Sequence, residues 1–293
     1  MKVIGIMTVR DEEDILLESA TAAIKAYDVI LSVDCGSEDN TPQILKDLAH
    51  QYKNFKFFGS IAPMTPMQVK RHIWSAHRKS FSHRDWWVFA DADEFLNVEQ
   101  VRPRLMHASK ILADHVNGEH VNYYYTNADH EKWLAGEENL QSRSLSITKR
   151  RRYYRYHTQQ IRFFHNLPWL RWNVDSEFPS NLSNLSDRNI QFRHYQYRDV
   201  PQIERRISIR RGEIHRTHGS NTHWMKDHLS EAISDVNDPA LHLDVGRGYI
   251  KDPNLKSIAR QNPLKTLAKY ARSSIKGCLT AQVEENWFSA LDT

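Results

Sequence analysis

Trp86-Trp87-Val88-Phe89-Ala90-Asp91-Ala92-Asp93-Glu94-Phe95 is the stretch that decides how the chain is read. Five apolar residues run straight into a cluster of carboxylates. A short, continuous apolar run bounded by polar residues has the length of a strand covered on both faces. The acids therefore stand at the carboxyl end of a strand and not along a helix face. In extended chain Asp91 and Asp93 point to the same side. Two such carboxylates repel each other unless a proton or a cation neutralises them. A hard divalent ion, Mg2+ or Mn2+, would do so through oxygen ligands and would also bind phosphate oxygens. A polar loop capping the next helix is the plainer alternative, and the neighbours of the cluster decide between the two.

Working outward, residues 3–7, 29–33 and 55–58 read as further short apolar strands. Between them, residues 12–27 place Ile15, Leu16, Ala20, Ala23 and Ile24 on one helical stripe. The acids Asp11 to Asp14 suit the positive end of that helix. Residues 41–52, with Pro42 in the first turn, and residues 67–81 are also expected to be helical. Strand–helix alternation of this kind gives a mostly parallel central sheet flanked by helices, with ligands bound at the carboxyl ends of the strands. Three polar clusters fall at those ends: Arg10-Asp11-Glu12, the segment from Asp34 to Thr41, and Asp91 to Glu94. In the second cluster Gly36 permits a tight turn, and the Asp, Ser and Asn side chains are suited to capping the next helix.

Beyond residue 98 a helix over 98–114, a strand over 120–126 and a basic helix over 203–216 are expected, with residues 143–200 rich in Arg, Tyr, Trp and His and interrupted by Asn, Ser and Pro turns. Residues 143–216 carry 16 Lys and Arg against 6 Asp and Glu, a bias that fits a nucleotide diphosphate, an anionic lipid surface or nucleic acid. Arginines interleaved with aromatics could track a nucleic acid, but carboxylates at the strand ends would repel such a polyanion, so no nucleic-acid partner is expected. Residues 263–276 set Leu264, Leu267, Ala268, Ala271 and Ile275 against Lys265, Lys269, Arg272 and Lys276. That helix could lie on an anionic membrane surface as a peripheral contact or pack on the domain. No run approaches the ~18–20 apolar residues of a membrane span. The N-terminus lacks a secretory signal pattern, and Cys35 and Cys278 stand in no redox spacing, so a cytoplasmic protein is expected.

Taken in order, the three clusters resemble the family-2 glycosyltransferases of the GT-A fold, in the branch with a D-x-D-E-F element. The likeness spans about the first hundred residues and includes Asp34-Cys35-Gly36-Ser37-Glu38-Asp39-Asn40-Thr41 and Asp91-Ala92-Asp93-Glu94-Phe95. It implies a hexosyltransferase moving a sugar from a nucleotide-diphosphate sugar to a hydroxyl on a glycan, lipid or polysaccharide precursor, with inversion and a bound Mn2+ or Mg2+. It also implies a GT-A catalytic domain over about residues 1–220. The nucleotide half is expected at about 1–115, the acceptor half at about 116–220, and a mainly helical extension at 221–293.

The resemblance places Asp34 on the donor nucleotide, with Arg10, Glu12, Ser37 and Asp39 in the same strand-end clusters. Asp91 is expected on ribose or metal, and Asp93 as the leading metal ligand. Gln68, Lys70 and Arg71 occupy a region that often lines this cleft. His194, within Arg193-His194-Tyr195-Gln196-Tyr197-Arg198, is the candidate third ligand. Arg198, with Arg205, Arg206 and Arg210, could neutralise the diphosphate. Asp175 or Glu177, following the aromatic stretch from Trp169 to Trp172, is the candidate base. A non-catalytic relative that keeps the fold is the other reading of the missing base motif.

Overall fold

The computed structural model describes residues 1–62, 66–173, 176–214 and 226–250. Asp175 and the 263–276 segment lie outside them. The described residues divide into two compact units, one within residues 1–120 and 159–192, the other within residues 121–158 and 193–250.

The first unit opens with β1 (Val3–Val9), α1 (Leu16–Ala26), β2 (Val29–Asp34), α2 (Thr41–Gln51), β3 (Phe55–Ser60), α3 (Pro66–His77), β4 (Trp86–Phe89), β5 (Glu94–Leu96) and α4 (Val98–Lys110). Three strands, β6 (His115–Tyr124), β7 (Tyr153–His165) and β8 (Ile190–His194), run from one unit into the other. The sheet order is β3-β2-β1-β4-β7-β6-β8-β5. β1 pairs in parallel with β2 (Val9 opposite Asp34) and with β4 (Ile6 opposite Phe89). The carboxyl ends of β1, β2 and β4 therefore stand side by side. β7 runs antiparallel to β4, with Trp87 opposite Phe164. The fold is the expected α/β class, a central sheet flanked by helices, with a mixed strand pattern.

Alternation along the strands builds a core on each face of the sheet. Met7, Val9, Ile30 and Val88 pack with Leu16, Ala20 and Ala23 of α1 and Val101 and Leu105 of α4. Ile4, Ile6, Val33, Trp87 and Phe89 pack with Val69, Ile73 and Trp74 of α3. Each large side chain buried this way contributes roughly 1.5–3 kcal/mol. With both faces covered, these strands show as continuous apolar runs, which is why the sequence located them.

Three expectations are corrected. The first helix begins at Leu16, not residue 12. Asp11 adopts a left-handed φ of 54°, and the carboxylates of Asp11 and Glu13 accept from backbone N–H groups of the neighbouring loop. The helix expected over 98–114 ends at Lys110, where Leu112 turns back with φ 56°; β6 then starts at His115, earlier than expected. The thirteen-residue strand β7 lies in the Arg- and aromatic-rich stretch to which no strand was assigned.

The second unit adds α5 (Asn127–Leu134), α6 (Ile147–Arg150), α7 (Val200–Ile214), α8 (Leu229–Ala232) and β9 (His242–Leu243). Thr126 and Asp129 form a reciprocal cap at the start of α5. β9 pairs antiparallel with β7, Tyr153 opposite Leu243. Arg151 is fully buried against Glu138, Nη2 lying 2.5 Å from Oε1. No helix among the described residues is long and apolar enough to cross a membrane.

Candidate active site at the strand ends

Two loops leaving β1 and β2 are fastened to each other within the first unit. Asp34, 1% exposed, accepts hydrogen bonds from Ser37 Oγ at 2.5 Å and Ser37 N at 3.2 Å. Ser37 Oγ in turn accepts from Asp11 N at 2.8 Å, and Asp11 Oδ1 accepts from Glu38 N at 2.8 Å. Glu12 N donates to Thr41 Oγ1 (2.9 Å), Glu13 N to Asp39 Oδ2 (3.2 Å) and Asn40 N to Glu13 Oε2 (3.0 Å). The reciprocal pattern explains why both loops are polar and why Asp11 takes a left-handed conformation, which Asp tolerates better than most residues. Asp34, Ser37, Asp39 and Glu12 are thus brought together. Arg10 lies beside Asp11, its Nε 3.7 Å from Oδ2.

Next to Asp34 in the chain, Cys35 is wholly buried with a free thiol, in the core cluster that holds Val69, Ile73 and Trp74 of α3. Burial, reinforced by Asp34, pushes its thiol up to about 12, while Lys70 and Arg10 act the other way. The thiol stays protonated at neutral pH.

At the end of β4 the carboxylates meet cations of the protein itself. Lys70 Nζ on α3 stands 2.5 Å from Asp91 Oδ1 and 5.3 Å from the ring centre of Phe89. Arg162 Nη2 on β7 is 3.4 Å from Asp91 Oδ2 and also donates to Glu94 Oε1. Arg162 Nε reaches His120 Nε2 at 3.2 Å, and that nitrogen is 3.1 Å from Glu94 Oε1. Arg162, Glu94 and His120 are all buried. Burial works against the guanidinium charge, but Glu94 and Asp91 outweigh it and hold Arg162 above its usual range. Space for this arginine comes from Gly118, where a Cβ would approach Arg162 Cγ to 2.6 Å and Phe192 Cδ2 to 2.9 Å. Asp91 is the reachable member, its side chain 26% exposed. Arg71 follows Lys70 on α3 and is partly exposed.

The sequence argument for a divalent ion began from carboxylates needing neutralisation. Lys70 and Arg162 provide it for Asp91; at an effective dielectric of about 20, unit charges ~4 Å apart attract by about 4 kcal/mol before desolvation is counted. Among the described residues no three His, Cys, Asp or Glu side chains form a group able to hold a metal ion. Asp93 is buried, and His194 in the second unit has Nδ1 3.1 Å from Asn122 Oδ1. Asp91 and Asp93 stand in the first unit and His194 in the second, and at Asp91 the protein's own cations already supply the neutralisation from which the metal argument began.

Other expected residues fall elsewhere. Arg198 is fully buried in the second unit, donating from Nη1 to Tyr195 O (3.0 Å) while its own carbonyl accepts from Arg151 Nε (2.5 Å). Glu177 is exposed in the first unit, and its charge helps raise Arg162.

The sequence reading missed Arg162, His120 and Thr8. Thr8 precedes the last residue of β1; its buried Oγ1 has no hydrogen-bond partner among the described residues. A buried hydroxyl left so costs roughly 1–3 kcal/mol, which a ligand atom would offset. Its place just inside a polar strand end was the available signal. For Arg162 and His120 the only signal was an ionisable residue within strand-forming sequence.

No protein-family model matches the chain, and no curated protein matches it. Solved structures similar to it include S. aureus TarS 1–349, at TM-score 0.41 and 13% identity over 76% of this chain and 68% of that one. The same protein in complex with UDP gives 0.41 and 15% over 76% and 68%. In complex with UDP-GlcNAc it gives 0.41 and 15% over 76% and 69%.

Proposed function

We propose that the chain is a glycosyltransferase of the D-x-D-E-F type that takes a nucleoside-diphosphate sugar as donor and a hydroxyl as acceptor. The observation that carries this reading is the Lys70–Asp91–Arg162 cluster at the carboxyl ends of parallel strands. It stands in the same unit as the polar loop pinned by Asp34 and Ser37. Cations held ready at a strand end meet the needs of a diphosphate leaving group, whose negative charge grows as the glycosidic bond breaks. Charges already in place cost no reorganisation at that moment.

In this mechanism the loop around Ser37 and the hydroxyl of Thr8 seat the nucleoside. Lys70 and Arg162 neutralise the departing diphosphate, and Asp91 orients both. Glu177, whose charge already acts on Arg162, takes the acceptor proton as the acceptor oxygen attacks the anomeric carbon. The diphosphate leaves from the opposite face, so configuration inverts. Glycan and lipid-linked hydroxyls are the acceptor classes that fit.

A thermal-shift panel of UDP, GDP, ADP and CDP, followed by hydrolysis of the matching nucleotide sugars, tests the reading. One nucleoside diphosphate should raise Tm, its sugar esters should be hydrolysed, and NMR of a transferred product should show the inverted anomer. Failure of every diphosphate to stabilise the chain would sink the proposal.

A further inference from the structure

We infer that the diphosphate is bound without a divalent metal, with Lys70 and Arg162 as its resident cations and Asp91 as the carboxylate that keeps them in place. The inference rests on the donor reading above and sharpens its chemistry.

Both oxygens of Asp91 already face a positive nitrogen, Lys70 Nζ at 2.5 Å and Arg162 Nη2 at 3.4 Å. A divalent ion on this carboxylate would have to displace the ammonium. Arg162 is much harder to displace: it is buried, it donates to Glu94 and His120, and it fills the space left by Gly118. An incoming dication would then stand against a fixed guanidinium, a like-charge contact that disfavours it. A phosphate group meets the opposite situation. Lys70 sits at the accessible edge on a flexible stem, able to turn from Asp91 to a phosphate oxygen. Arg162 remains behind it as a fixed positive charge. Glu94 and His120 are positioning residues: they aim the guanidinium, and of the two carboxylates it meets Asp91 is the reachable one.

Isothermal titration of the full chain with the nucleoside diphosphate selected above, in EDTA and again with Mn2+, tests the inference. The dissociation constants in the two conditions should agree within about threefold, and binding should weaken as salt rises. Lys70→Met should weaken binding about tenfold or more in both conditions, as expected for loss of a charge-assisted contact. Arg162→Lys keeps the charge but not the fork, which makes it the safer variant if Arg162→Met fails to fold; it should also weaken binding in EDTA. Binding that needs Mn2+ and vanishes in EDTA overturns the metal-free inference and leaves the donor reading standing. Absence of binding in both conditions overturns the two together.

Discussion

Lys70 Nζ lies 2.5 Å from Asp91 Oδ1, so the acidic end of β4 is closed by a cation from α3. Asp91→Asn removes the counter-charge that orients Lys70 and Arg162. Nucleotide-sugar hydrolysis should fall by about 100-fold or more, in the range seen when a preorganised electrostatic partner is lost. Because Asp91 is partly exposed, Tm should move little. Unchanged turnover in the folded variant counts against the site.

Gly118 offers a way to disturb Arg162 without touching a charge. Gly118→Ala puts a methyl group into space held by Arg162 and Phe192. The expected loss is about 1–3 kcal/mol of stability by urea unfolding, with weaker diphosphate binding in the folded fraction. A variant as tight as the parent would mean that the guanidinium need not be held where it is.

The loop zipper turns on one hydroxyl. Ser37→Ala leaves Asp34 buried without its 2.5 Å donor and Asp11 N without its acceptor. A stability loss of roughly 1–3 kcal/mol is expected, together with weaker nucleotide binding. Thr21→Ala, on the exposed face of α1, removes only a bond to its own helix carbonyl and serves as the control.

Acid sensitivity should trace to His165. Burial lowers it from 6.5 to about 4, and it is stacked on Trp86 with ring centres 4.5 Å apart. Between those pH values the unfolded chain binds a proton that the folded chain does not. The stability contribution is therefore complete above about pH 6.5 and declines as pH falls towards 4, by about 3 kcal/mol in all. His165→Phe keeps an aromatic ring on Trp86 and should flatten that limb in urea melts at pH 4.5 to 7, taken as about the span of the titration. A limb as steep as the parent's would assign the loss to other groups.

How far the sequence disclosed all this depended on the range of the interactions. β1, β2 and β4 are buried on both faces, so their apolar runs stand out, and the parallel order they imply brings three polar clusters to one edge. Lys70 was visible because it lies on a helix that such an order places beside that edge. Arg162 was not, because it meets Glu94 across 68 residues of chain and sits in a stretch whose positive charge resembles a solvated surface. The error at the first helix had the opposite origin. Asp11 to Asp14 look like partners of a helix dipole, yet backbone groups of the next loop claim the carboxylates of Asp11 and Glu13, and the left-handed turn at Asp11 carries no glycine to announce it. Arg198 was read from its charge, whereas its burial follows from contacts that no local pattern encodes.

The buried thiol beside Asp34 has a practical consequence. A sulfur that is wholly enclosed in the core beside Asp34 and titrates near 12 should react with an alkylating reagent only when the strand end around Asp34 and α3 opens. Alkylation at Cys35, separated from Cys278 by peptide mapping, would then clock the breathing of the donor site. A bound nucleotide should slow that clock, so occupancy could be followed in a crude extract with neither an acceptor nor a coupled enzyme.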